Sequence, residues 1–377
     1  MKVLLISHTC QSRVEGQPKA QCLGNLPDVE LLLLMPDRWR HYGRWRAAEI
    51  PRQASYQYRI GRVAWPWIGP AQNYLHWYPQ LGRILHEFQP DVIDLWEEPW
   101  ALVSAHACWL RHRLVPHAKI VAETEQNIEK VLPPPFESLR SYILRKADYA
   151  VARNSEAVQV LRAKGYDGPA EVVPNAVDAE LFRPLDREVC RHKLGLVGFV
   201  AGYVGRLVEE KGLMDMIDAL AFCPPDVNLL FVGDGAFQPQ LEQQARAMGK
   251  ANQVRFLPGR PQAELPEVMN AINVLVLPSR TTPRWKEQFG RVIIEANACG
   301  TPVIGSSSGA IPDVIGAAGL VVPERDPAAL AGALVELKSD PERSHQMGLE
   351  GRRQAEEYYT WKRVAQRMRN IYLKALS

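Results

Sequence analysis

The chain has 377 residues, long for a single core and comfortable for two α/β domains of ordinary size. Hydrophobic content of 46% and charged content of 23% are those of a globular protein in water. A net charge of +3 creates no global field calling for nucleic acid as a partner.

In chain order, the opening is apolar only over Val3–Ile6 before it turns polar at Ser7-His8. That is too short for a signal-peptide core and reads as a first strand. No later stretch approaches the roughly 18–20 apolar residues that span a bilayer. The six cysteines are scattered, without a Cys-x-x-Cys pair, and read as reduced thiols. A cytoplasmic protein, at most resting on the inner face of the membrane, is expected. Short apolar runs alternate with helical patterns throughout, the signature of βαβ units and parallel sheets. Strands are expected at Lys2–Ser7, Glu30–Met35, Val92–Trp96, Lys119–Ala122, Tyr149–Ala152 and Glu171–Val173. A second series falls at Gly198–Val204, Asn228–Val232, Val254–Leu257, Val274–Leu277, Pro302–Ile304 and Leu320–Val322. The fold class is therefore α/β, with one doubly wound, Rossmann-like domain over 1–187 and another over 188–358. A hinge is expected between Asp178 and Leu196, and a basic amphipathic helix occupies 359–377. Between Arg38 and Arg62 seven arginines stand against one acid, Glu49, with Trp39, Trp45 and, just beyond, Trp65 among them. Such an insertion is either a surface for an acceptor phosphate or anionic lipid headgroups, or a solvated loop whose tryptophans pack inward.

Chemistry concentrates in the second half. Glu287-Gln288-Phe289-Gly290-Arg291-Val292 leads into a segment that looks helical from Phe289 and stops at Gly300 and Pro302. Amides at Gly290, Arg291 and Val292 would then face a bound anion. Glu295 would lie two turns inside the helix, and eight residues of helical rise would separate it from Glu287 by roughly 12 Å, near the span of a sugar diphosphate. Taken alone, the same pattern describes an amphipathic helix with two acids on its wet side. Upstream, Gly205-Arg206-Leu207 through Lys211-Gly212 follows a strand and sets two cations beside a glycine turn. Arg206 and Lys211 suit a departing diphosphate, each hydrogen bond contributing on the order of 1.5–3 kcal/mol. Alternatively they are surface charges near Glu209 and Glu210.

These runs, with Phe231-Val232-Gly233-Asp234-Gly235, Val173-Pro174-Asn175-Ala176-Val177-Asp178 and Ser308-Gly309-Ala310-Ile311-Pro312-Asp313, resemble glycosyltransferase family 4 over about residues 148–340. The resemblance implies a GT-B fold, two Rossmann-like domains facing a central cleft, with the last helix returning to the first domain. It implies a retaining transfer from a UDP- or GDP-sugar to an acceptor hydroxyl. Carried over by position, Arg206 and Lys211 hold the diphosphate and Glu295 the ribose. Glu287, with the backbone of Phe289 and Gly290, meets the sugar, and Gly259 and Arg260 lie near the base. Arg206, Lys211 and Glu287 are the catalytic candidates. No cofactor or metal is expected: there is no Asp-x-Asp motif, and two cations with helix amides can take over a metal's part.

The first half departs from the family. Only Gly16 stands where a glycine pair is usual, and Val121-Ala122-Glu123-Thr124-Glu125-Gln126-Asn127 lacks the expected histidine. His8, Gly16, Glu125, Gln126 and Asn127 are the acceptor-side candidates, against helix capping for Asn127 and an ordinary structural role for His8. Glu97 and Glu98 either line a cleft or are solvated loop acids. The acceptor is expected to be a saccharide, a lipid-linked sugar or a small molecule. The rivals are a nucleotide-sugar epimerase on the same fold and a non-catalytic nucleotide-sugar-binding protein.

Overall fold

The run Glu30–Pro36 is buried at every position after the first, too continuous for a strand with one wet face. It belongs inside a parallel sheet covered on both sides. The computed structural model describes residues 1–41, 44–64 and 71–377 and places the run in such a sheet. The chain forms two units: Met1–Pro174 with Trp361–Ser377, and Asn175–Thr360.

In the first unit the strands are β1 (Lys2–Ile6), β2 (Glu30–Pro36), β3 (Arg38–His41), β4 (Arg44–Ala47), β5 (Gln57–Gly61), β6 (Val92–Leu95), β7 (Lys119–Thr124), β8 (Tyr149–Ala152) and β9 (Ala170–Val172). Seven of them form one sheet in the order β5-β2-β1-β6-β7-β8-β9, every neighbouring pair parallel. The order reverses between β1 and β6. Ile6 pairs with Leu95, so the chain leaves both strands at one level, and His8 and Glu97 emerge side by side. In the second unit β10 (Phe199–Val204), β11 (Val227–Val232), β12 (Val254–Leu257), β13 (Val274–Leu277), β14 (Val303–Ser306) and β15 (Gly319–Val322) follow. Their sheet runs β12-β11-β10-β13-β14-β15, again all parallel, with its reversal between β10 and β13.

Two findings differ from the sequence reading. The Arg38–Arg62 segment is not a structureless insertion: β3 and β4 pair as an antiparallel hairpin and β5 adds an edge strand to the sheet. In the hairpin Trp39 lies opposite Arg46 and Arg40 opposite Trp45, so the two tryptophans take opposite faces. Trp39 is buried and Trp45 is 45% exposed, so only one of them packs inward. Trp65 lies outside the described residues. The units divide after Pro174, not after 187. Val177 bridges to Thr360, Arg352 donates to the carbonyls of Ala179 and Phe182, and Leu185 N donates to Asn270 Oδ1 at 2.8 Å, which ties 175–187 to the second unit. The final helix runs Trp361–Leu376 and packs with the first unit. Its apolar face buries Val364, Met368 and Ile371, and Tyr372 donates to the buried Asp94 at 2.6 Å. Among the described residues no helix is long and apolar enough to cross a membrane.

Candidate functional site

Ligands of open α/β sheets bind beyond the carboxyl ends of the strands, where the strand order reverses. In the second unit that point carries the loops after β10, β11 and β13. The first two lie backbone to backbone: Gly205 N donates to Val232 O and Leu207 N to Asp234 O, both at 3.0 Å. A Cβ at Gly233 would stand 1.9 Å from Gly205 O, and φ there is +149°. No side chain fits, which is why the turn needs glycine. The packing fixes Arg206, whose carbonyl accepts from the buried Tyr203 hydroxyl at 2.8 Å and whose side chain is exposed.

Lys211 closes the short turn Glu209–Lys211. Its Nζ is 2.5 Å from Glu287 Oε2, and the same oxygen accepts from Ser279 Oγ at 2.9 Å. The ammonium stands 4.8 Å from the centre of the Trp285 ring. Burial, followed by the Glu287 charge, pushes the Tyr203 phenol above its ordinary range, and Arg206 pulls the other way. One hydroxyl thus senses both Glu287 and Arg206. Ser279–Glu287–Lys211 forms a relay that aims an ammonium from a largely buried base.

The helix beyond starts at Arg291, not at Phe289, with Gly290 as its N-cap at φ +79°. Phe289 is buried and packs edge-on to Tyr359, so only its backbone is available to a ligand. Glu295 consequently lies one turn inside the helix rather than two. Irregular chain separates it from Glu287, and the 12 Å spacing drawn from helical rise does not apply. Burial raises the Glu295 carboxyl, opposed by Arg291 and by a hydrogen bond from Gln262. Gln262 follows Gly259-Arg260 in the loop after β12. Gly259 N donates to Asp234 Oδ2 at 3.2 Å, and Arg260 lies 3.9 Å from Glu264. The structure thus links the loops of Gly205 and Gly259 to Glu295, and Lys211 to Glu287. Sequence reasoning missed Ser279, Trp285 and Tyr203. Ser279 had a signal, its place just after β13 at the reversal point.

In the first unit the reversal between β1 and β6 opens a cavity of about 280 Å³. His8 and Glu125 line it, as do Glu97 and Glu98; Gly16, Gln126 and Asn127 do not. Gly16 instead packs on the Thr9–Cys10 backbone, its N–H donating to Ser12 O at 3.3 Å. Gln126 accepts from Ile128 N at 3.3 Å. Asn127 does not cap a helix but donates to Glu156 at 3.2 Å. His8 is no lone histidine: Glu97 receives its backbone N–H at 2.5 Å and its Nδ1–H at 2.6 Å, and the ring stacks on Trp39 at 4.4 Å. His76 approaches the same carboxylate at 3.5 Å. Burial would raise Glu97, but the facing His8 and His76 rings outweigh it and hold the carboxyl at about 2. Burial would lower His8, and Glu97 reverses that into a rise. Beneath the cavity Glu123 pairs with both Lys19 and Arg153.

Two family models match the chain, one for glycosyl transferases group 1 over residues 187–354, the other for glycosyltransferase family 4 over residues 35–181. A D-inositol 3-phosphate glycosyltransferase of Corynebacterium jeikeium is 31% identical over 299 residues, 74% of this chain and 67% of that one. A GDP-mannose-dependent monoacylated alpha-(1-6)-phosphatidylinositol monomannoside mannosyltransferase of Corynebacterium glutamicum is 34% identical over 212 residues, 53% of this chain and 55% of that one. Several of the curated relatives are matched over little more than half their own length, 53% for a D-inositol 3-phosphate glycosyltransferase of Streptomyces avermitilis. Among solved structures, HepE of Anabaena in complex with UDP superposes with a TM-score of 0.74 at 21% identity, covering 99% of this chain and 100% of that one, a likeness of fold. Two Rossmann-like sheets of this order are those of the GT-B fold. With a family model on each half and a relative matched along two thirds of its length, the chain belongs to the group 1 glycosyltransferases of family 4.

Proposed function

We propose that the chain transfers a sugar from a nucleotide-sugar donor to an acceptor hydroxyl, with retention of anomeric configuration and without a metal. The second unit carries the donor chemistry. As the bond from the anomeric carbon to the diphosphate breaks, its electron pair passes to the leaving nucleoside diphosphate. Arg206 and Lys211 stabilise that charge, helped by the amides of Gly290, Arg291 and Val292. Glu295 takes the ribose hydroxyls, Gly259 and Arg260 flank the base, and Glu287 serves the sugar while it orients Lys211. His8 and Glu125 are the acceptor-side groups.

The observation that carries this reading is the Ser279–Glu287–Lys211 relay beside the glycine-locked Arg206 turn, at the reversal of the strand order. A cation fixed in advance costs no reorganisation when charge develops, and so favours the transition state over the bound substrate. The name of the Corynebacterium glutamicum relative makes a GDP-sugar the first donor to try, ahead of a UDP-sugar.

The test is turnover of Arg206→Ala and Lys211→Ala beside the parent, with sugar on the acceptor as readout. Each change should remove at least about 1.4 kcal/mol of transition-state stabilisation, a tenfold loss in kcat/KM. Activity within threefold of the parent would refute the leaving-group role. Donor conversion without transfer would indicate an epimerase.

A further inference from the structure

The cavity of the first unit carries a charge pattern that bears on what it can hold. Glu97, Glu98, Glu123 and Glu125 all stand in its lining. Among the described lining residues Arg153 is the one permanently charged cation, and both terminal nitrogens of its guanidinium are already hydrogen-bonded, while Nε makes no hydrogen bond. Arg153 pairs with Glu123, lies 3.5 Å from Glu125 and donates to Val173 O at 3.1 Å. A phosphate entering here would meet four glutamates, and the one permanent cation among the described lining residues already faces two of them.

A hydroxylated ring meets the opposite. Glu98 receives Glu125 N–H at 2.9 Å and the Thr124 hydroxyl at 2.6 Å, and a carboxylate has about four acceptor positions, so it retains capacity. Burial lifts Glu98 to about 7, against the pull of Thr124 and the Glu125 amide, so near neutrality it can both donate and accept. Glu97 only accepts, which places a His8 proton on Nδ1; Nε2, on a side chain 33% exposed, accepts from a ligand hydroxyl in the neutral ring and donates to one in the imidazolium that Glu97 favours. Trp96, Trp100 and Tyr74 supply aromatic surface for the C–H faces of a ring.

We infer that this cavity binds a polyhydroxylated ring bearing no phosphate, the acceptor of the proposed transfer. Only the word acceptor rests on the transfer reading. The ligand class sets this chain apart from the relatives whose names specify inositol 3-phosphate.

The experiment is an NMR titration of the full chain labelled at tryptophan indole nitrogens, without donor. Trp96→Phe and Trp100→Phe identify the two cavity signals. Probes are myo-inositol, methyl α-D-mannopyranoside and D-myo-inositol 3-phosphate. At least one uncharged ring should move both signals saturably, at a concentration at least tenfold below that needed for the phosphate. Glu125→Lys, folded by its unchanged remaining indole signals, should shrink that ratio at least tenfold. The inference is overturned if the phosphorylated probe binds as tightly as the uncharged rings or more so. It is equally overturned if neither ring moves the two signals by 50 mM, or if Glu125→Lys leaves the ratio unchanged. No turnover enters the measurement, so its failure leaves the donor-side proposal intact, and inactive enzyme would leave this result standing.

Discussion

Glu287 serves two neighbours through one oxygen, and removing its charge separates their effects. Glu287→Gln keeps an acceptor for Ser279 but leaves Lys211 without its anion. The ammonium should then wander and turnover fall at least tenfold, with a smaller change in melting temperature; equal kcat/KM would show that the relay orients nothing. Gly290→Ala would force a left-handed residue, costing about 1–2 kcal/mol, and bring a methyl within 2.9 Å of Ile293 Cδ1. Urea unfolding should register that loss, and a stability change under about 0.3 kcal/mol would contradict the turn's geometry. The His8–Glu97 pair has a pH window that follows from its shifts. Glu97, held at about 2, contributes stability above its ordinary 4.5 and loses it as pH falls towards 2. His8, raised above 6.5, contributes below 6.5 and loses that as pH rises through its folded value. Both contributions are complete between about 4.5 and 6.5, so Glu97→Gln should be most destabilising there relative to the parent, as unfolding at pH 3, 5.5 and 9 would show. A penalty that stays constant across these values would remove the ion pair. Much of this candidate site was legible: Arg206, Lys211, Glu287 and Glu295 stand in runs whose glycines and charges point to the proposed chemistry. The partner of His8 was not, because it lies 89 positions away and only the pairing of β1 with β6 brings it near.

At the scale of elements, strands in the second unit were readable because each is a short apolar run bounded by turn residues. The hairpin was not, although it alternates with period two: Arg38-Trp39-Arg40 and Arg44-Trp45-Arg46 carry charge where a strand is usually sought by its apolar residues. Their alternation marks a two-faced ribbon, one face supplying Trp39 to stack on His8. The apolar pattern extends to Phe289, two residues before the helix begins at Arg291, because the left-handed Gly290 resets the chain. The last helix completes the first unit through a sequence-distant contact, Tyr372 to the buried Asp94. Tyr372→Phe should cost about 1–3 kcal/mol, the penalty of a buried acceptor losing its partner, measured by urea unfolding with an unchanged slope. A neutral result would mean that Lys19, 3.3 Å from the same oxygen, satisfies Asp94 alone.

At the scale of the whole chain, two sheets of the same winding each gather charged residues where the order of strands reverses, in a different balance. The second unit offers Arg206 and Lys211; the first offers four carboxylates around a cavity. Their places follow from topology, since the reversal point is where neighbouring loops of a parallel sheet diverge and leave room. The central claim, that the second unit grips a nucleoside diphosphate, is tested most directly by thermal unfolding of the full chain titrated with GDP and UDP, beside Arg206→Ala and Lys211→Ala. At a hundred times Kd a nucleotide should contribute about 2.7 kcal/mol, a rise of several degrees, and each alanine should weaken Kd at least tenfold. An unmoved melting temperature with both nucleotides, or an identical rise in both variants, would contradict it.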